Sequence, residues 1–166
     1  MKHANTILCV ALGLGTAIPC VAKEERVAPG DLPANVTAAV AKRFPDAKIS
    51  GAGKEEADGE LVYEVQLVRK ERKIDVTLRP DGAIREIEEQ LPQAELPQPV
   101  QRAIAKQYAK SRLKIAEKIT LVKDGKESLD AYEVKLDADG KVTEVKLTPD
   151  GKILHTEVQT GDGDES

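Results

Sequence analysis

The sequence predicts an α+β fold of two tandem units, each with one helix packed on a three- or four-stranded antiparallel sheet. Three observations predict it. The segment TLRPDGAIREIE, residues 77–88, recurs sixty-nine positions later as KLTPDGKILHTE. A Leu-Pro pair opens an apolar stripe of helical spacing twice, at Leu32 and at Leu96. Each stripe is followed by alternating apolar and polar residues, the pattern of strands with one wet face.

Residues 1–22 are predicted to be a signal peptide, because a basic N-terminus precedes an apolar run from Ile7 to Ile18. A membrane helix needs about 20 apolar residues, so this run is too short to remain as a span. Cleavage is expected after Ala22, while a second site after Ala17 and a lipoprotein interpretation of Cys20 stay open. We therefore expect a secreted or periplasmic protein with no membrane insertion after cleavage. Both cysteines leave with the signal, so stability must come from packing instead of disulfides.

The charge balance bears on the class of partner. The formal charge is −4 for the whole chain and becomes about −5 once Lys2 leaves with the signal. This argues against nucleic acid and anionic membranes as partners, since both call for a clustered positive patch.

The helix of each unit is predicted from matched positions sixty-four residues apart. These are Val36, Ala39, Val40 and Phe44 in the first unit, and Val100, Ala103, Ile104 and Tyr108 in the second. Spacings of three and four residues place such side chains on one helical stripe. Pro45 is expected to end the first helix, because a proline disfavours helical geometry in the residue before it.

The strands are predicted from a second matched block, Tyr63 to Leu67 and Tyr132 to Leu136, sixty-nine residues apart. Asp-Gly and Pro-Asp-Gly sequences between the strands predict hairpin turns. Residues 137–140, Asp-Ala-Asp-Gly, also resemble the middle of a calcium loop. Lys135 and Lys146 would then stand where acidic ligands belong, so a plain turn is the better interpretation.

The predicted organisation has five segments. They are a signal peptide over 1–22, a disordered linker over 23–30, one repeat over 31–91, a second repeat over 92–159 and a disordered acidic tail over 160–166. A proline-rich connector, residues 92–99, separates the repeats. A unit of roughly 60 residues buries only about 60% of its unfolded surface, so the halves are expected to pack together.

No reaction chemistry is predicted. His155 is the one histidine left after signal removal, which gives zinc too few ligands and a serine nucleophile no dedicated base. The carboxylates at 86, 88 and 89 lie beside Arg85 with little apolar cover and are interpreted as a solvated strand face. We expect a protein that is not an enzyme and that uses no cofactor and no metal.

The Leu-Pro helix, the Tyr-Glu-Val strand and the Asp-Gly hairpin, all given twice behind a signal peptide, resemble the PepSY-like family. This tandem-repeat family is related in fold to beta-lactamase-inhibitor proteins, and the resemblance covers roughly Asp31 to Glu157. It implies a non-enzymatic exported bacterial module of a kind thought in several relatives to bind or inhibit peptidases or other envelope proteins. The chain departs from the inhibitor members because it lacks their disulfides.

The expected function is protein binding through the outer sheet face, and the resemblance implies that such binding modulates or inhibits a peptidase or other envelope protein. The alternative is a structural or stress-related envelope protein without a dedicated partner, as a monomer or a dimer. The candidate partner-binding residues point away from the predicted helices: Glu64, Gln66, Arg79, Glu133, Lys135 and Lys146. Their mixed charges fit either a soluble surface or a polar docking surface. Tight inhibition is not expected, because the face lacks aromatic anchors.

Overall fold

The repeated phrase forms a hairpin with the same register in both halves of the chain. The protein is described by a computed structural model over residues 25–57 and 59–159. Thr77 pairs with Glu86 in the first half, and Lys146 pairs with His155 in the second, sixty-nine residues later. The predicted duplication is therefore a duplication of strand pairing. The predicted signal peptide and acidic tail lie outside the described residues.

Nine strands and two α-helices are present in the described part of the chain. In order they are β1 (Glu25–Arg26), α1 (Ala34–Arg43), β2 (Lys48–Ala57), β3 (Glu60–Arg69), β4 (Arg72–Leu78), β5 (Ile84–Gln90), α2 (Gln98–Gln107), β6 (Arg112–Lys123), β7 (Lys126–Ala138), β8 (Lys141–Leu147) and β9 (Ile153–Gln159). Every strand pairs antiparallel with the next one, so that the sheet order equals the chain order.

The prediction of two units with separate small sheets is wrong. β5 pairs with β6 from Glu86 opposite Leu121 to Gln90 opposite Glu117, which joins both halves in a single nine-stranded sheet. The proline-rich connector does not separate the two repeats into independent sheets. The chain continues from it through α2 and returns as β6 to the outer edge of β5. That edge would otherwise carry a row of unpaired backbone N–H and C=O groups, and β6 satisfies them.

Both helices begin, and α1 also ends, where the prolines predict. Pro33 and Pro97 immediately precede α1 and α2, and Pro45 follows two residues after α1 ends. At the C-terminal ends the backbone N–H of Phe44 donates to Val40 O, and that of Tyr108 donates to Ile104 O, both at 2.8 Å. The predicted apolar stripes are confirmed, because their members pack against the sheet.

The apolar interior consists of two clusters beneath the helices. The first core contains Leu32, Val36, Val40, Phe44, Val65, Leu67, Ile74, Val76, Leu78 and Ile87. The second core contains Leu96, Val100, Ala116, Tyr132, Val134, Leu136, Val145 and Leu147. Val122 from β6 packs against the first core and Leu91, next to β5, packs against the second. The halves therefore share side-chain contacts as well as backbone pairing.

The two Pro-Asp-Gly turns lie against the first turns of the helices. Gly82 has φ +86° and Gly151 has φ +88°, a region that L-residues with side chains rarely adopt. A Cβ added at Gly82 would lie 2.5 Å from Asn35 O, and one at Gly151 would lie 2.5 Å from Pro99 O. Glycine therefore allows both the turn and its close approach to the helix.

Part of the segment predicted to be a disordered linker forms a strand instead. Glu25 pairs with Lys54 in the β1–β2 ladder, and their side chains form an ion pair at 3.1 Å. The Val27 N–H donates to Ala52 O at 3.0 Å, and the Val27 side chain packs against the first core. β1 therefore covers part of the outer edge of β2.

Candidate docking face

The open face is the side of the sheet opposite the helices. Residues directly opposite each other in an antiparallel ladder share a face, so the register identifies its members. Four rows cross the strands on this face. They are Glu64, Thr77, Glu86 and Leu121; then Gln66, Asp75, Glu88, Ile119 and Ala131; then Gln90, Glu117, Glu133, Lys146 and His155; and finally Lys135, Glu144 and Glu157.

Three of the predicted docking residues come together on the second half of the open face. Glu133 of β7 lies directly opposite Lys146 of β8, and Lys135 lies two residues further along β7. Glu64 and Gln66 lie on β3, four strand spacings or about 19 Å away. The six residues therefore do not form one compact site.

Arg79 lies at the rim, just after the end of β4. Its guanidinium is exposed, and its Nε lies 3.1 Å from Glu60 Oε2. Arg85 Nη1 approaches the same carboxylate at 3.8 Å. This corner of the sheet is therefore a small cluster of arginines around one glutamate.

The two lysines predicted to dock a partner, Lys135 and Lys146, already have partners within the chain. Lys135 Nζ lies 3.3 Å from Glu144 Oε2, and Lys146 Nζ lies 3.2 Å from Asp130 Oδ2. The Gln159 amide also donates to Glu144 Oε2 at 3.3 Å. Both lysine side chains are mostly buried, so these pairs are part of the sheet surface and not mobile surface charges.

Carboxylates dominate the middle of the open face, and several are withdrawn from water. Glu64, Glu144 and Glu117 are only 3%, 6% and 8% exposed. Glu88 is half-buried and lies directly opposite Ile119 of β6. The interpretation of Glu88 as part of a solvated strand face is therefore wrong, because β6 supplies apolar cover that a separate first unit would lack.

Burial and mutual repulsion raise the pKa values of the central carboxyls. Burial, followed by the charges of Glu86, Glu133 and Glu117, raises the pKa of Glu88 to about 9. Burial, followed by the charge of Glu144, raises the pKa of Glu133 to about 8, although Lys135 opposes this.

The same environment acts on Glu117 and Lys135. Burial raises the pKa of Glu117, and Lys135 partly offsets the effect. Burial lowers the pKa of Lys135, but the nearby carboxylates of Glu144, Glu117 and Glu133 outweigh it and leave that pKa raised. Lys135 therefore remains charged, while burial makes the carboxyls of Glu117 and Glu133 reluctant to ionise.

On the helix-covered face, the acidic residues Glu89 and Glu127 have basic partners. Glu89, which the ladder places on that face, lies 2.7 Å from Arg69 Nη2 and 3.7 Å from Lys118 Nζ. Glu127 lies 2.7 Å from Arg43 Nε in α1. Basic partners thus neutralise these two acids on the helix side, whereas acidic residues outnumber basic ones in the four rows of the open face.

Glu117 is one of the open-face residues that could not be recognised from the sequence. Ile115, Glu117 and Ile119 alternate with Ala116 and Lys118, so that neither face of β6 reads as cleanly apolar. The available signal was the duplication itself, since β6 follows its helix as β2 follows α1.

The charged and polar side chains of the open face are chemically suited to ion pairs and hydrogen bonds. Within residues 25–57 and 59–159, no group of three or more His, Cys, Asp and Glu side chains is placed to hold a metal ion. His155 lies exposed on β9, the last strand. A groove of about 360 Å³ beside α2 is lined by Leu96, Gln101, Ile104, Tyr108 and neighbours, with no carboxylate, histidine or lysine among them.

Three solved structures illustrate the fold. A "BLIP-like protein" from Bacteroides fragilis is 18% identical with TM-score 0.58, covering 81% of this chain and 92% of its own. A DUF2874 family protein from Bacteroides uniformis is 18% identical with TM-score 0.60. A protein from Bacteroides eggerthii, described by the words "putative periplasmic proteins", is 16% identical with TM-score 0.62. Both of these cover 76% of this chain and 88% of theirs. At these identities the likeness concerns the fold.

Other comparisons bear on the family and on the membrane. No curated protein gave a significant sequence match. None of the helices in the described ranges is long and apolar enough to cross a bilayer. The family model described as "Putative beta-lactamase-inhibitor-like, PepSY-like" matches residues 19–86 and again 61–155. These two matches span most of the sequence and both repeats, and the chain therefore belongs to the PepSY-like family.

Proposed function

We propose that the protein is an exported, non-enzymatic binding module that docks a basic segment of a protein or peptide on its open face. A peptidase or another envelope protein is the class of partner that the family resemblance implies. The candidate contact residues are Glu64, Gln66, Glu133, Lys135 and Lys146 on the face, with Arg79 at its rim. The periplasmic name of the Bacteroides eggerthii protein supports the export of this one.

The crowding of carboxyl groups at the centre of the open face carries the proposal. Glu88 and Glu133 have pKa values raised to about 9 and about 8, because burial and neighbouring acids oppose their ionisation. A lysine or arginine from a partner would favour the charged carboxylates and lower those pKa values. Arginine would add paired hydrogen bonds to a carboxylate. Binding should therefore release protons from the face.

The composition of the face indicates the strength of such binding. Tight interfaces usually depend on buried aromatic or arginine anchors, and the four rows carry no aromatic residue. Charge complementarity mainly supplies specificity and speed of association. We therefore expect a modest affinity that falls as salt is raised, because exposed charges are screened.

The experiment is calorimetric titration of the mature protein with a synthetic Arg/Gly peptide, with a Glu/Gly peptide of equal length as control. Only the basic peptide should bind, and proton release should appear as a dependence of the heat on buffer ionisation. The double variant Glu88→Gln, Glu133→Gln should weaken binding about tenfold, or about 1.4 kcal/mol. The matched control is Glu95→Gln, Glu127→Gln, which removes two acids outside the open face and should leave binding unchanged.

Two outcomes would contradict the proposal. Equal loss in both double variants would mean that net charge, not the open face, attracts the peptide. Absence of binding at millimolar peptide, together with repeated failure to capture a stoichiometric partner from the envelope fraction, would favour the alternative of a structural envelope protein.

A further inference from the structure

We infer that β9 pairs antiparallel with β9 of a second copy of the chain, forming a twofold-symmetric dimer centred on Thr156. The inference is independent of the open-face proposal, because it concerns the edge of the sheet.

The duplication identifies β9 as an edge with a missing neighbour. β9 (Ile153–Gln159) lies sixty-nine residues after β5 (Ile84–Gln90), and both close a Pro-Asp-Gly hairpin. The outer edge of β5 is occupied by β6. Along the described part of the chain β9 pairs only with β8, so a seven-residue strand presents its other edge to solvent.

The regular part of the exposed edge, from His155 to Gln159, lacks the usual protection against pairing. Edge strands are commonly blunted by lysine, proline, bulges or very short length. β9 contains neither lysine nor proline, and its ladder with β8 is regular from His155 to Gln159 after one irregularity near Ile153. Leu154 and Val158 are 50% and 39% exposed. The other end of the sheet is guarded, because β1 is only two residues long and covers Gly53 and Lys54 of β2.

The sequence of β9, ILHTEVQ, is complementary to itself in one register. With Thr156 opposite its own copy, His155 lies opposite Glu157 and Leu154 lies opposite Val158. Each of these pairs occurs twice because of the symmetry. Opposite-charge or hydrogen-bonding pairs and apolar pairs directly across a ladder are stabilising.

The neighbouring registers are worse. Residues that lie directly opposite each other in an antiparallel ladder have their side chains on the same face of the sheet. A twofold axis perpendicular to the sheet must therefore lie at a residue that pairs with its own copy. An axis through His155 would set His155 against its own copy and Leu154 opposite Thr156, and an axis through Glu157 would set two like charges against each other. Thr156 is therefore the preferred centre. The same axis keeps both helix layers on one side and joins the two open faces on the other.

A head-to-tail contact is the competing arrangement. It would place β9 of one copy against β2 of the next, as β5 lies against β6 within the chain. Such a head-to-tail contact would build rings or filaments of several copies instead of a twofold dimer. It would also have to displace β1 and its Glu25–Lys54 ion pair, whereas the β9–β9 contact displaces nothing described.

The test is sedimentation equilibrium of the mature protein from micromolar to millimolar concentration. A single edge contact is a small interface, so a weak, reversible dimer is expected. The mass should rise to twice that of the monomer and no further. A monomer at every concentration would overturn the inference, and growth beyond the dimer would indicate the head-to-tail contact instead.

Charge-swap variants test the register. His155→Glu places Glu opposite Glu157 twice and should weaken the dimer at least about tenfold. The double variant His155→Glu, Glu157→His restores opposite partners at both positions and should recover the dimer. Lys48→Glu, a charge change on β2, should leave it unchanged.

Circular dichroism and melting temperature would verify that each variant folds. Failure of the double variant to recover the dimer while still folded would contradict pairing about Thr156. Loss of the dimer in Lys48→Glu would implicate β2 and overturn the β9–β9 contact.

Discussion

The two halves of the sheet share a strand register but differ in how deeply matched residues are buried. Ile87 of β5 is 4% exposed in the first core, whereas Thr156, its counterpart on β9, is exposed. Phe44 is buried, while its counterpart Tyr108 is only half-buried, with its hydroxyl 3.3 Å from Thr156 Oγ1. Among the described residues, β5 has neighbouring strands on both sides and β9 has one. Position within the sheet thus decides how far a duplicated pattern is buried.

Core truncation should test this difference with the largest effect. Leu78 and Leu147 are matched, fully buried residues of the first and second cores. Leu78→Ala and Leu147→Ala should each lower the free energy of unfolding by about 2 to 5 kcal/mol, with the larger loss at Leu78 because its core is closed on both sides. Urea unfolding measures it. One transition is expected in both variants, and two separate transitions would show that the halves unfold independently.

The matched turn glycines should show the next largest effect. Gly82→Ala and Gly151→Ala would force a side chain into positive φ and against a helix carbonyl, at a cost of about 2 kcal/mol or more. The control is Gly125→Ala, where φ is +71° but nothing lies within 4 Å of the added Cβ. It should cost about 1 kcal/mol. Equal losses at all three glycines would mean that the contact with the helix does not matter.

The open-face carboxyls should make stability depend on pH. The folded state holds the Glu88 proton up to about pH 9, whereas the unfolded chain releases it near pH 4.3. Below the pH range between these two pKa values, Glu88 is protonated in both the folded and the unfolded state, so it does not change the free energy of unfolding. As pH rises through this range, only the unfolded state loses the proton, so the free energy of unfolding falls.

Glu88→Gln should therefore stabilise the protein at pH 8 and have little effect at pH 4. Even one unit of the pKa difference corresponds to about 1.4 kcal/mol. Glu127→Gln is the control with opposite sign, because the hydrogen bond from Arg43 lowers the pKa of Glu127. It should slightly destabilise the protein at pH 8. Denaturant unfolding across this pH range measures both, and a pH-independent effect of Glu88→Gln would refute the argument.

The smallest effect concerns two matched hairpin turns. Lys70 and Glu71 close β3 and β4 with φ +49° and +69°, at positions where the second half has Asp139 and Gly140. Residues other than Gly, Asn and Asp are strained at positive φ by roughly 1 kcal/mol each. Lys70→Asp with Glu71→Gly should therefore raise the free energy of unfolding by about 1 kcal/mol. Thermal unfolding would check it, and the reciprocal Gly140→Glu should lose a similar amount.

Local patterns were sufficient for the elements but not for their assembly. The stripe ending at Phe44 and the turn at Asp139-Gly140 could be predicted, because helix spacing and positive φ are properties of short segments. The β5–β6 contact could not, since it joins strands separated by α2 and depends on which edge the returning chain reaches. For the same reason the burial of Glu88, which depends on Ile119 across that contact, was missed.

Leu91 of the first half packs against the second core, and Val122 of the second half packs against the first core. This cross-packing affects how the chain could be divided into two fragments. A cut at the proline-rich connector would leave the N-terminal fragment without the strand that closes β5 and without one apolar contact. The C-terminal fragment would lose β5, which pairs with β6, and the contact of Leu91 with the second core. Two such fragments, produced as separate polypeptides, would each have surfaces that only the other can cover, which makes this connector a natural place for a split-protein reporter that works by reassembly.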